Sequence, residues 1–169
     1  KFYYPDLKSR GNQATITSNM YSIAIHGGAG TILRSAMSAE MEKAYRQALS
    51  EALQKGFEIL EAGGSSLDAI TSAIVSLEDN ILFNAGRGSV FTNKGEHEMD
   101  ASVMYGADGN AGAVSGVKQI RNPILLAREV MENSQHVFLC SEGAMEFARE
   151  KGIAMEPDEY FYSPFRFEQ

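Results

Sequence analysis

The chain has 169 residues, a formal net charge of −7, 44% hydrophobic residues and a single cysteine. A length of this order suits one domain built on one core, and the acidic balance, with Lys and Arg scattered among acids, lacks the clustered cations that a nucleic-acid partner requires. No apolar run reaches the roughly 20 residues needed to cross a bilayer, and Cys140 has no internal partner for a disulfide, so no nucleic acid and no membrane are expected, and a cytoplasmic location fits without ruling out export.

Lys1 to Asn19 are polar, carry Pro5 and Gly11 and keep no period, which predicts an extension with little stable structure ahead of a domain over residues 20–169. Tyr21 to His26 is a short β-branched run ending abruptly at glycines, the pattern of a buried strand that feeds a loop at His26-Gly27-Gly28-Ala29-Gly30. From Ser38 to Ala62 apolar residues recur at helical spacing, with Glu40 and Glu42 in the first turn and Gly63-Gly64 as a positive-φ exit. A second helix follows, opened by Ser65 and Asp68 in a capping-box-like pair and striped by Leu67, Ile70, Ala73, Ile74 and Leu77; it ends near Glu78-Asp79-Asn80.

Strand-like segments at Ser89 to Thr92, His97 to Tyr105 and Ala111 to Val117 are separated by glycine turns, which predicts an antiparallel meander. Asn122 and Pro123 start a helix continuing over Ile124 to Met131, with Asn122 as its cap. Val137 to Cys140 reads as a strand with Cys140 a small buried hydrophobe, and Ser141 as the cap of a last helix through Arg149 that stops at Gly152. Ile153 to Gln169, with two prolines and several aromatics, is expected to be irregular and to lie on a partner. The order predicts an α+β layered fold. Its meander would leave a face or edge uncovered, and a second polypeptide is the expected cover.

His26-Gly27-Gly28-Ala29-Gly30 has the composition of a loop whose backbone passes close to a ligand or to another backbone. It lacks the endings of a Walker or dinucleotide loop, and read alone it is better explained as a tight strand-to-helix turn; read with the later motif the preference reverses. Phe83-Asn84-Ala85-Gly86-Arg87-Gly88 joins an apolar anchor, a carboxamide and glycines between a helix and a strand. The amide NH2 of Asn84 can donate to an oxyanion or hold a water, or Asn84 can simply cap a turn. Arg87 suits a carboxylate clamp or a solvated surface position. His26, His97 and His136 stand far apart in sequence and read as structural rather than as a zinc set. Glu96, Glu98 and Asp100 alternate along one strand face, which reads as an exposed acidic face more readily than as an acid–base pair.

Taken together, YSIAIHGGAG, EAGGSSLDAI, LFNAGRGSVFTNKGEHEMDASVMYG, AGAVSGV and RNPILLAREVME, in this order between about Tyr21 and Gly152, resemble the plant-type L-asparaginase and isoaspartyl peptidase family of amino-terminal-nucleophile hydrolases. The resemblance implies a four-layer αββα sandwich completed by a separate β subunit, self-cleavage of a precursor, and an (αβ)2 heterotetramer. It implies attack by the β subunit's first residue, a threonine, on β-aspartyl dipeptides and L-asparagine, with no organic cofactor. By the same resemblance Asn84 faces the nucleophile and its water, Gly27 and Gly28 form the loop packed behind the substrate site, and the main chain of Leu77, Glu78, Asn80, Phe83, Ala85 and Arg87 holds a structural sodium ion. The HGGAG opening favours these substrates over glycan-linked asparagine; a glycosylasparaginase-like amidase and a non-catalytic anion-binding scaffold are the rival readings. Two departures stand out: the residues before Met20 lie outside the family pattern, and the chain ends at Gln169 without the Gly or Asp that usually precedes the threonine.

Overall fold

The computed structural model describes residues 21–28 and 37–168; the expected extension over Lys1 to Asn19 and the end of the glycine loop, Ala29 and Gly30, lie outside them. Helix α1 spans Ala39–Glu61 and α2 spans Ser66–Glu78. Each starts on a serine hydroxyl that accepts a backbone N–H, Ser38 Oγ from Met41 and Ser65 Oγ from Asp68, pairing one of the donors that every helix start leaves open. Gly63 makes the exit at φ +82°. The two helices touch across Gly56, where a side-chain carbon would strike Ile23 and the Ala69 carbonyl.

The strand expected over Tyr21 to His26 does not form. Ile23 and Ile25 are half-buried and Ser22, Ala24 and His26 exposed, so the alternation is there, yet no described residue pairs with this segment. Alternation chooses which side chains face a core; a strand also needs a neighbour's N–H and C=O groups.

The sheet has three strands in the order β1 (Met99–Met104), β2 (Ala111–Val117), β3 (Phe138–Cys140). β1 and β2 are antiparallel, with a bulge between Met99 and Ala101, whereas β3 runs parallel to β2 and is reached through helix α3, Pro123–Asn133. The expected meander therefore shrinks to one hairpin, and Ser89 to Thr92 contributes only the isolated bridge Phe91 to His97. At the bulge Asp100 Oδ1 accepts from Ser115 Oγ at 2.7 Å and from the Gly116 N–H at 2.9 Å, and these bonds hold its carboxyl below the usual range.

One face of this sheet is covered. Val103, Val114 and Val117 pack with Ile124, Leu126, Ala127 and Val130 of α3 and with Ala144, Met145 and Ala148 of α4, Ser141–Lys151. The opposite face carries Ser102, Met104, Phe138 and Cys140, all exposed, with Met104 at 64% and Phe138 at 54%. Cys140 is thus not the buried hydrophobe expected of it, because the strand's odd register turns it away from α3. The described residues form an α+β arrangement with helices on one face of a sheet, and none of the helices is long and apolar enough to cross a membrane.

Two expected caps are also replaced. Asn122 makes no cap bond at α3; the Glu78 carboxyl, far away in sequence, accepts the Ile124 N–H at 3.0 Å instead. Ser141 opens α4 as its first residue, at φ +47°, a left-handed geometry that costs a residue with a Cβ roughly 1–2 kcal/mol. Ser141→Gly in the full-length protein is therefore expected to raise stability by about 1 kcal/mol, read as a Tm increase of about 2–4 °C. A lower Tm would show that the strain is not the dominant effect. The tail, finally, is not irregular throughout: single-turn helices α5 (Asp158–Phe161) and α6 (Pro164–Phe167) fold it onto the chain's own loop before β1.

Candidate functional site

Phe83 ends an apolar cluster with Ala48 and Ala52 of α1 and Leu77 of α2, its ring edge-on to Tyr45 at 5.8 Å. Because Phe83 is 5% exposed, the next residue is forced outward, and Asn84 is exposed. Its carboxamide is not loose. Asn84 Oδ1 accepts the Val90 N–H at 2.9 Å, across a 3-10 turn at Gly86–Gly88, and this fixes which way the amide NH2 points. The carboxamide oxygen thus serves the turn, as the turn-capping reading expects, and the exposed residue leaves its NH2 available to a partner.

The two glycine motifs meet at this point. A side-chain carbon on Gly27 would lie 2.8 Å from Leu49 Cδ2 and 3.1 Å from Phe83 Cε1, so the loop passes directly over the anchor that precedes Asn84. A larger residue there would have to displace the Leu49 and Phe83 side chains. Gly28 follows at φ +110° with open space beside it, and its N–H donates to His26 Nδ1 at 3.2 Å.

Between α2 and Asn84 the chain coils tightly. A side-chain carbon at Gly86 would lie 2.5 Å from the Glu78 carbonyl oxygen, and one at Gly88 would strike the carbonyls of Phe83 and Ile81. The Phe83 carbonyl accepts the Ala85 N–H, and nearby the Asn80 carbonyl accepts the Phe83 N–H and the Ala85 carbonyl the Gly88 N–H, but a carbonyl has a second lone pair. Main-chain oxygens are the donor type that suits a hard cation such as sodium. Glu78 differs in its side chain, which turns to α3 and is buried with Oε2 unpartnered. Burial pushes this carboxyl up to about 8, against the lowering effect of the Ile124 N–H and the Asn122 side chain.

A family model described as asparaginase matches residues 19–169. The chain belongs to the asparaginase family. The isoaspartyl peptidase of Salmonella typhimurium is 52% identical over 151 residues, covering 89% of this chain and 48% of that protein. That of Escherichia coli is 50% identical over 147 residues, 87% and 46% of the two chains, and the human isoaspartyl peptidase/L-asparaginase is 47% identical over 138 residues, 81% and 43%. The chain spans about half the length of the curated relatives it matches.

The remaining candidates of this asparaginase-family chain lie apart from Asn84 or support it indirectly. No group of three or more His, Cys, Asp or Glu among the described residues is placed to hold a metal. His97 is buried with Nδ1 3.1 Å from Ser89 Oγ, and desolvation lowers its pKa. Glu96 and Glu98 share an exposed face and both pair with Lys118, as expected of a solvated acidic strand. Arg87 is exposed, its guanidinium 5.3 Å from the centre of the Tyr160 ring. Sequence reasoning missed the Asp79 carboxylate, on which Arg121, Asn122 and Tyr160 converge, and Arg166, which bonds the Leu82 carbonyl. The only trace of either is a charge, Asp79 in an acidic helix end and Arg166 among aromatics after a proline, too common a pattern to single them out.

Proposed function

We propose that this chain is the α subunit of an isoaspartyl peptidase and L-asparaginase, matured by autoproteolysis of a precursor whose second product, the β subunit, begins with the nucleophilic threonine. The observation that carries this reading is the Asn84 carboxamide, clamped through its oxygen by the Val90 N–H and presenting its NH2 outward. A preoriented donor of this kind is what an acyl-transfer oxyanion requires. The threonine hydroxyl attacks the side-chain amide or isopeptide carbonyl of asparagine or a β-aspartyl dipeptide while its own α-amine takes the proton. The Asn84 NH2 donates to the oxyanion or to the hydrolytic water. The C–N bond breaks, the protonated nitrogen leaves as ammonia or an amino acid, and water cleaves the acyl ester to release aspartate. Gly27 and Gly28 form the back of the substrate site.

The same proposal accounts for the uncovered sheet face: a β-subunit sheet stacked on Ser102, Met104, Phe138 and Cys140 would complete a four-layer αββα sandwich, and two such units an (αβ)2 heterotetramer in the cytoplasm. A sodium ion would be held by the main chain of Leu77, Glu78, Asn80, Phe83, Ala85 and Arg87, supplying a fixed positive charge beneath the loop. Exchange of sodium for a large organic cation is then expected to lower the Tm and loosen this loop to proteolysis; an unaltered Tm would count against the ion.

The experiment that tests the function is an intact-mass measurement on the product of the complete reading frame, with a β-aspartyl-leucine assay of the same sample. Two polypeptides, the second starting at threonine, and hydrolysis are expected. Hydrolysis by the α chain alone, or by an uncut single chain, would overturn the proposal.

A further inference from the structure

A guanidinium is costly to bury unless its donors are met, and Arg166 is only 8% exposed. Held by α6, its Nη2 donates to the Leu82 carbonyl at 2.8 Å. The Leu82 N–H donates to Asn80 Oδ1 at 3.0 Å. Leu82 therefore has both main-chain groups satisfied by side chains rather than by a helix or a ladder, which fixes the backbone two residues before Asn84. The rest of the terminal segment lies on the same stretch. Tyr160 OH donates to Asp79 Oδ1 at 3.4 Å, Tyr162 and Phe167 stand edge-on to Phe91 at 6.0 and 5.4 Å, and the Phe161 ring lies 5.8 Å from that of His97.

We infer that Arg166 is a positioning residue for the hydrolysis: by gripping the Leu82 carbonyl it sets the direction in which the Asn84 carboxamide is presented. This rests on the reading of Asn84 as the amide donor. On this reading Arg166 acts through the peptide planes between Leu82 and Asn84, and the α6 segment is the arm that brings it there. A displacement of the donor of about an ångström is enough to cost a large factor in rate.

The test uses the complete mature enzyme, with Arg166→Met and Arg166→Gln, which both remove the guanidinium, and Arg166→Lys, which keeps a cationic donor. Assays run well below each variant's Tm. The expected result is a fall in kcat of about tenfold or more for Met and Gln with KM within about twofold of the parent, partial recovery in Lys, and no further loss when Arg166→Met is added to Asn84→Asp. Should Arg166→Met fail to fold, Arg166→Gln is judged by the same criteria. A parental kcat in the folded variants, or a full additional loss on top of Asn84→Asp, would overturn the inference. If Asn84→Asp alone keeps parental kcat, the reading of Asn84 falls first and takes this inference with it, an outcome told apart by that single variant.

Discussion

Asn84→Ala in the complete enzyme is expected to lower kcat by at least about tenfold, and by about a hundredfold to a thousandfold if the amide is a fully preorganised oxyanion donor. KM is expected to change far less, because the donor's partner carries charge only in the transition state. Alanine alone is an incomplete test, since it also removes the acceptor for the Val90 N–H and slackens the turn. Asn84→Asp separates the two effects: it keeps an oxygen for Val90 but offers no NH2. If donation is the role, Asp is as slow as Ala; if bracing the turn is the role, Asp keeps parental kcat. Equal and unimpaired kinetics in both would remove Asn84 from the reaction.

Local signals carried the helical half of the fold. The α1 and α2 boundaries lie in serine caps and a glycine exit, all within four residues of the helix ends they define, and β2 coincides with its alternating run between glycine turns. What escaped is what depends on residues distant in sequence. The pairing of β3 parallel to β2 needs the α3 crossover to place it, and a short apolar run is equally compatible with a parallel or antiparallel neighbour. Tyr21 to His26 has the alternation of a strand and no described partner, which a periodicity cannot reveal.

The site divides the same way. That the two glycine motifs come together was legible because close approach leaves a compositional mark, and Gly27 against Phe83 is that mark realised in space. Glu78 capping Ile124 and Arg166 holding Leu82 were not legible, because neither side chain differs in type from a solvated surface charge. Only their burial distinguishes them. Cys140 failed for the opposite reason: its neighbours are apolar, but its place in β3 points it to the open face.

The second large effect concerns Glu78. Its carboxyl is 3% exposed, one oxygen takes the Ile124 N–H and the other has no partner. Desolvation outweighs the Ile124 bond and the lowering effect of the nearby Asn122 side chain, with the Asp79 charge adding to it, and the folded pKa rises from 4.5 to about 8. The native state thus holds a proton that the unfolded chain has released, so stability falls as pH increases. This contribution is fully present below about pH 4.5, declines between there and about pH 8, and is lost above that. The integrated loss is on the order of several kcal/mol. Glu78→Gln keeps an oxygen for Ile124 and cannot ionise. Its Tm is expected to match the parent near pH 5 and to exceed it increasingly toward pH 8–9, in melts of the full-length protein with ionic strength held constant. Parallel Tm curves for parent and variant across that window would show that Glu78 does not titrate there.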